Sequence, residues 1–269
     1  MYQSTHTGAQ VDEAVDKALS ADAVPTPGST NLVQSGGVFG VVSNRNLLDN
    51  GWFTVNQRGV ADATTISGNN YFADRWQATG SGVQRVAGGG INILGTAYHK
   101  LDNPGIAGKT VTLSILYSDG EISSNTFAWT GTSFSKTFKY GTVNIYPSAN
   151  QINIGAQSVI VTAIKLELGS VSTLANDAPP NYAEELAKCQ RYFYRYNGLT
   201  SAYTMPGTTV SSITIPFPCT MRGVPAISNI TYHDSKVAEG YGAYVSGARF
   251  YNSSNVGFSV TGFDVSADL

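Results

Sequence analysis

Charge is what this sequence has least of: Asp, Glu, Lys and Arg together make up 13% of its 269 residues. The 16 Lys and Arg against 18 Asp and Glu leave a formal net charge of −2. The chain as a whole therefore carries no basic footprint for nucleic acid. Long apolar runs are missing too; none approaches the roughly 20 residues that cross a bilayer. The opening "MYQSTHTGAQ" lacks the basic-then-apolar order of a secretory signal. Folding in a cytoplasm, without membrane insertion, is the expectation. Cysteine is nearly absent, with Cys189 and Cys219 alone. A bridge between them is possible in principle, but a reducing compartment argues against one. With no C-x-x-C and only His6, His99 and His233, neither a metal site nor a cofactor is expected.

What is present is 29 Gly, 15 Tyr and many Ser and Thr. That composition suits short strands joined by turns, with polar but uncharged surfaces fit for sugars and extended assemblies. Residues 1–45 read differently from the rest. Val11, Val15 and Leu19 recur at i, i+4 and i+8, predicting a helix of about three turns whose apolar stripe needs a partner. "VPTPGST" then breaks the helix, and "NLVQSGGVFGVV" has no core of its own. The segment reads as an anchoring and oligomerising arm.

From Asn46 the period becomes two. Val111, Leu113, Ile115 and Tyr117 share a face, as do Phe134 with Phe138 and Val143 with Ile145. Ile160, Thr162, Ile164, Leu166 and Leu168 alternate with a more polar set ending in Lys165 and Glu167. No helical pattern interrupts these runs, so residues 46–175 are expected to form an antiparallel β-sandwich of jelly-roll type. A helix follows within 176–198, with Asn181 and Glu184 as a capping box and Asn197-Gly198 as its stop. Residues 199–269 return to strands as a smaller C-terminal β domain.

Motifs for catalysis are weak. "NPGIAGKT" (103–110) has Asn103 where a phosphate loop needs glycine, and it leads into a strand. "YHDS" (232–235) puts His, Asp and Ser side by side, where neighbours on a strand face opposite ways. Asp74, Asp102, Asp119 and Glu121 are the candidate carboxylates for glycoside hydrolysis, though turn capping explains each as well. No catalytic residue is assigned. For sugar binding, flat rings that can meet pyranose faces matter more. Trp52 and Trp76 lie among hydrophobes, favouring core. Trp129, beside Gly131, is the first candidate for an open hairpin end, followed by Tyr98, Tyr117 and Tyr140. In "ELAKCQRYFYRYNG", Leu186, Cys189, Phe193 and Tyr196 form an a/d-like seam, with Lys188, Arg191 and Arg195 on another face. The cysteine reads as packing. The seam faces either the chain's own β units or sister chains on a threefold axis.

Six stretches then follow in order: "NLLDNGWFTVNQRG", "YFADRW", "GKTVTLSILYSDG", "VTAIKLELGSVST", "ELAKCQRYFYRY" and "IPFPCTMRGVPAIS". Over roughly residues 46–230 this series resembles the distal region of bacteriophage and prophage tail-fibre proteins, whose first domain is similar to a carbohydrate-binding jelly roll. "STNLVQSGGVF" resembles a linker of gut-phage fibre proteins, head fibres included. The resemblance implies a homotrimeric virion fibre, attached to a capsid, neck or tail protein by its N-terminal arm, with β domains that meet a bacterial surface glycan. It carries over no ligand residues. Val11, Val15, Leu19, Leu186, Cys189 and Phe193 are the candidate trimer contacts. A purely structural head or neck decoration fibre, or a polysaccharide depolymerase, are the alternatives.

Overall fold

The computed structural model describes residues 6–22, 44–102, 104–202, 210–233, 237–253 and 256–268. The proline-rich break and "NLVQSGGVFGVV" lie outside them, as do Asn103 and the Asp-Ser of "YHDS". The protein is mainly β: an antiparallel sandwich and a smaller C-terminal β domain, with one helix before the sandwich and one between the two. Among the described residues no helix is long and apolar enough to cross a membrane.

Helix α1 (Gly8–Leu19) has the expected stripe. Its N-terminus is closed by a capping box between Thr7 and Gln10, each side chain accepting the other's backbone N–H. No residue of α1 is buried; Val11, Val15 and Leu19 are 47%, 49% and 82% exposed.

The sandwich is made of β1 (Thr65–Ile66), β2 (Asn70–Ala73), β3 (Trp76–Thr79), β4 (Val83–Arg85), β5 (Ile91–Ile93) and β6 (Thr96–Lys100). It continues with β7 (Thr110–Tyr117), β8 (Ile122–Ala128), β9 (Phe134–Phe138), β10 (Gly141–Tyr146), β11 (Gln151–Gln157) and β12 (Val161–Leu168). One sheet has the order β1-β4-β5-β12-β7-β8 and the other β2-β3-β6-β11-β10-β9, all neighbours antiparallel. Between them Phe72, Trp76, Ile93, Val111, Leu113, Ile115, Val143, Ile145, Ile152 and Leu166 form one buried cluster. Period two explains it: each strand turns alternate side chains into the same apolar layer.

In β12 the alternation breaks. A bulge between Val161 and Ala163 turns Val161 inward in place of Ile160 and Thr162, and Leu168 ends up exposed. The polar side of β12 is not solvated either. Lys165 and Glu167 are fully buried beneath the segment that follows the strand. Lys165 Nζ lies 2.8 Å from Asp177 Oδ1 and 2.9 Å from Thr173 Oγ1, while Glu167 accepts from the Thr173 N–H and hydroxyl. The incoming chain covers the same strand. Leu47 N–H donates to Leu166 O, Ile164 N–H to Gly51 O, and Asn46 bonds both ways with Ile164 and Leu166. Gly51 is required by that approach: a Cβ there would meet Ile164 O at 2.3 Å.

Helix α2 (Tyr182–Gln190) is shorter than the sequence suggests. Asn181 caps it by accepting from Ala183 N–H, without a reciprocal bond from Glu184. The chain leaves the helix at Arg191, because "YFYRY" is aromatic and alternating, which favours a strand. Phe193 and Tyr196 therefore belong to β13 (Phe193–Ala202), and the four-residue seam does not exist. With Cys189 and Phe193 buried inside the chain, both are intrachain packing and not trimer contacts. Leu186 is half-buried. The C-terminal domain thus begins six residues earlier than position 199. Besides β13 it contains β14 (Ser211–Pro216), β15 (Ala226–Tyr232), β16 (Gly240–Tyr244), β17 (Gly247–Asn252) and β18 (Phe258–Ser266). These form sheets β13-β18-β15 and β14-β17-β16 around Ile215, Phe250, Phe258, Val260, Phe263 and Val265.

Candidate functional site

The outward face of the β2-β3-β6-β11-β10-β9 sheet is built from the residues the core leaves over. Because Phe72, Trp76, Ala78, Ala97, His99, Ile152, Ile154, Val143 and Ile145 point inward and are buried, their neighbours must point out. Strand register sets those neighbours in a line. Tyr71 is opposite Gln77, Gln77 opposite Tyr98, and Tyr98 opposite Asn153. Asn153 is opposite Asn144, which is opposite Ser135. The row crosses all six strands, about 24 Å at the usual inter-strand spacing of about 4.8 Å. A shorter row beside it holds Lys100, Gln151 and Tyr146 in register. On the other side are Thr79 and Thr96, a registered pair, and Thr142 opposite Thr137.

Two internal bonds orient the amides. Ser135 Oγ donates to Asn144 Oδ1 at 2.5 Å, and Gln151 Nε2 donates to Asn153 Oδ1 at 2.6 Å. Tyr71, Gln77, Tyr98, Asn153, Asn144 and Tyr146 are all half-buried, so the face is sheltered without being closed. Burial raises the phenol pKa of Tyr98, and that of Tyr71 further, where the nearby Asp268 carboxylate adds to it. Both rings are neutral hydroxyl donors at ordinary pH. Such a surface presents aromatic faces for apolar ring faces and amides for pairs of hydroxyls.

One end of the row is closed by the junction with the C-terminal domain. The Arg58 guanidinium lies 3.9 Å from the centre of the Tyr71 ring and 3.8 Å from that of Phe193. It also bonds Asp74 at 2.8 Å and Asp268 beside it. Arg75, 3% exposed and with a left-handed φ of 72°, stacks 3.6 Å over Tyr192. Arg195 pairs with both oxygens of Asp264, at 2.7 and 2.8 Å.

Of the four rings expected at a sugar site, the structure brings only Tyr98 to this face. Trp129 is not at an open hairpin end. It is 2% exposed and packs against Phe127 in the core, since it extends the alternation of β8 by one step and its N–H donates to Lys109 O as the next rung beyond Thr110–Ala128. Its remaining edge lines a shallow cavity of about 210 Å³ with Ile106, Ala107 and Pro147. Tyr117 is core as well, edge-on to Tyr140 at 4.7 Å. Tyr140 lies at the rim and donates its hydroxyl to Asp119. Trp76 is core, whereas Trp52 is half-buried beside a polar cavity of about 380 Å³ with Pro180 and Lys188. Tyr71 and Tyr146 were not singled out by the sequence. The signal was present: outward positions of the six strands hold Tyr, Asn, Gln, Ser or Thr, apart from Lys100 and Gly155.

Each candidate carboxylate is engaged by donors of its own. Asp74 accepts from Gln57 N–H and Arg58; desolvation raises its pKa despite these partners. Asp102 accepts from Tyr192 and Arg222, and Asp119 from Tyr140 and the Glu121 N–H. Glu121 pairs with Lys139 at 3.0 Å. No family model, curated protein or solved structure matches the chain. The fold and the geometry of this face are the ground on which a function is argued.

Proposed function

We propose that this protein is a virion fibre component of a bacteriophage, homotrimeric, attached to the particle by its N-terminal arm and adhering to a bacterial surface glycan. The observation that carries the reading is the six-strand row Tyr71–Gln77–Tyr98–Asn153–Asn144–Ser135. It is an uncharged aromatic and amide strip, open along its length and suited to an extended chain of sugars. The order of the sequence motifs supports the virion setting. The exposed Val11, Val15 and Leu19 stripe supports assembly through α1, because a lone helix of this length is marginal without a partner. Three copies would convert weak single-site binding into useful avidity. Engagement of Asp74, Asp102, Asp119 and Glu121 with neighbouring donors favours binding over hydrolysis.

The test is host-cell and glycan-array binding by the wild type and by Tyr98→Ala, a half-buried position whose loss leaves the core intact. Binding should fall by about tenfold or more, the worth of one aromatic platform. Unchanged binding removes the face from consideration. Absence of binding to any host cell leaves the purely structural fibre, which the exposed α1 stripe favours equally. Light scattering that gives a monomer at micromolar concentration overturns the trimer.

A further inference from the structure

We infer that the glycan taken by this face is anionic, with Lys100 meeting its carboxylate or phosphate; this rests on the adhesive reading of the face given above. The six strands of the sheet contain no Asp or Glu. Their ionisable groups besides tyrosine are His99, Lys136 and Lys100. His99 is fully buried in the core. Lys136 is opposite Val143, a core position, so it belongs to the inner side of the edge strand β9. Lys100 is thus the one formal charge among the outward positions of these strands. It is placed in register with Gln151, next to Tyr98 and Asn153.

Among the described residues, the Lys100 ammonium has neither an ion pair nor a hydrogen bond. The carboxylates near that end of the sheet are held by arginines. Asp74 and Asp268 bond Arg58, Asp49 lies 3.4 Å from Arg75, and Asp102 lies 3.2 Å from Arg222. Lys100 is half-buried on an otherwise uncharged surface and has no ion pair among the described residues, so an anion placed there meets an unopposed positive charge. The space for it is small and specific. Tyr71, Gln77, Tyr98, Lys100 and Arg75 line a dent of about 10 Å³, the room of a single water-sized group. Arg75 closes it from beneath, paired only at 3.4 Å to Asp49 and 4.0 Å to Asp268 and donating to Lys100 O. With the Tyr71 hydroxyl engaged by Asp268, the two cations and the Tyr98 phenol lining one oxygen-sized hollow match an anionic oxygen on a sugar better than a neutral hydroxyl.

The experiment measures binding of the full chain to matched polysaccharides, with and without their charge. Polygalacturonate is compared with its carboxyl-reduced form, and a mannan bearing phosphomonoesters with its dephosphorylated form. A cell-surface glycan panel is run alongside, and the two pairs separate a carboxylate from a phosphate. The charged member should bind about tenfold tighter or more. Lys100→Met, which keeps the apolar stem, should erase that preference while leaving neutral-polymer binding unchanged. Lys136→Met, an equal change of charge, should retain it. Equal affinity for the charged and neutral members, or a preference that survives Lys100→Met, overturns the anionic assignment, even where Tyr98→Ala still abolishes binding. If the panel and host cells bind nothing, the adhesive reading falls instead, and this inference with it.

Discussion

His99 shows what one buried side chain does to the pH range of the fold. Its imidazole is fully buried, edge-on to Trp76 at 4.9 Å, and the Asp49 backbone gives it at most a poorly aligned hydrogen bond. Burial first, then the nearby Arg75 charge, hold its pKa well below 6.5; the Asp49 backbone opposes them weakly. The folded chain therefore takes up this proton less readily than the unfolded one. The neutral-His99 contribution is fully present above about pH 6.5 and is lost as pH falls below it, by about 1.4 kcal/mol per pH unit for one proton. Asp49 and Asp74, both raised by desolvation, act in the opposite direction at lower pH. Urea unfolding at pH 7 and pH 5 should show wild type losing more stability than His99→Phe over that interval; equal losses would contradict this account. At this scale the sequence was legible in part. Alternation marks which tyrosines face out, and Tyr98 follows from it. The same alternation turns Trp129 inward with Phe127, and the neighbouring Gly131 misleads by suggesting an open hairpin end.

Among the elements, β12 organises both coverings of its sheet. The ion pair of Lys165 with Asp177, and the bonds from Thr173 to Glu167, fasten the chain that follows the strand. Lys165→Met removes the cation paired with Glu167 and Asp177, a loss worth about 3–5 kcal/mol of stability. Lys165→Met with Glu167→Gln should recover part of that loss, and a denaturant titration of the three proteins checks it. Strand periodicity was readable in β7 and β10, where the inward side chains are apolar, and in β9 apart from Lys136. It failed in β12, where a bulge shifts the phase and a second layer buries the polar side. The end of α2 was misread for a different reason. Cys189 and Phe193 have helical spacing, but aromatic alternation in "YFYRY" and pairing of β13 with β18 outweigh it.

At the scale of the molecule, Arg58 joins the two β domains. Its guanidinium lies between Tyr71 of the sandwich and Phe193 of the C-terminal domain, and it bonds a carboxylate from each, Asp74 and Asp268. Gln57 adds a bond to Phe193 O, and Arg222 one to Asp102. Arg58→Ala should lower the temperature at which the C-terminal domain melts and separate it from the sandwich. Calorimetry would resolve two transitions where the wild type shows a more nearly single one. An unaltered single transition would mean that the remaining bonds suffice. The order of domains along the chain was legible from period and turn residues. The junction was not, since its partners are up to 210 positions apart.

The crossing of residues 44–51 over β12 also bears on mechanics. Tension drawn through Asn44 reaches the sandwich by way of the Leu47–Leu166 and Ile164–Gly51 hydrogen bonds and the Asn46 amide. These attach to the part of β12 that pairs with β7 beyond its single rung with β5, so pull passes from β12 into β7. The C-terminal domain, joined on the far side of that crossing, lies outside the path of force. Pull applied at residue 44 would strain the sandwich while leaving the last domain slack.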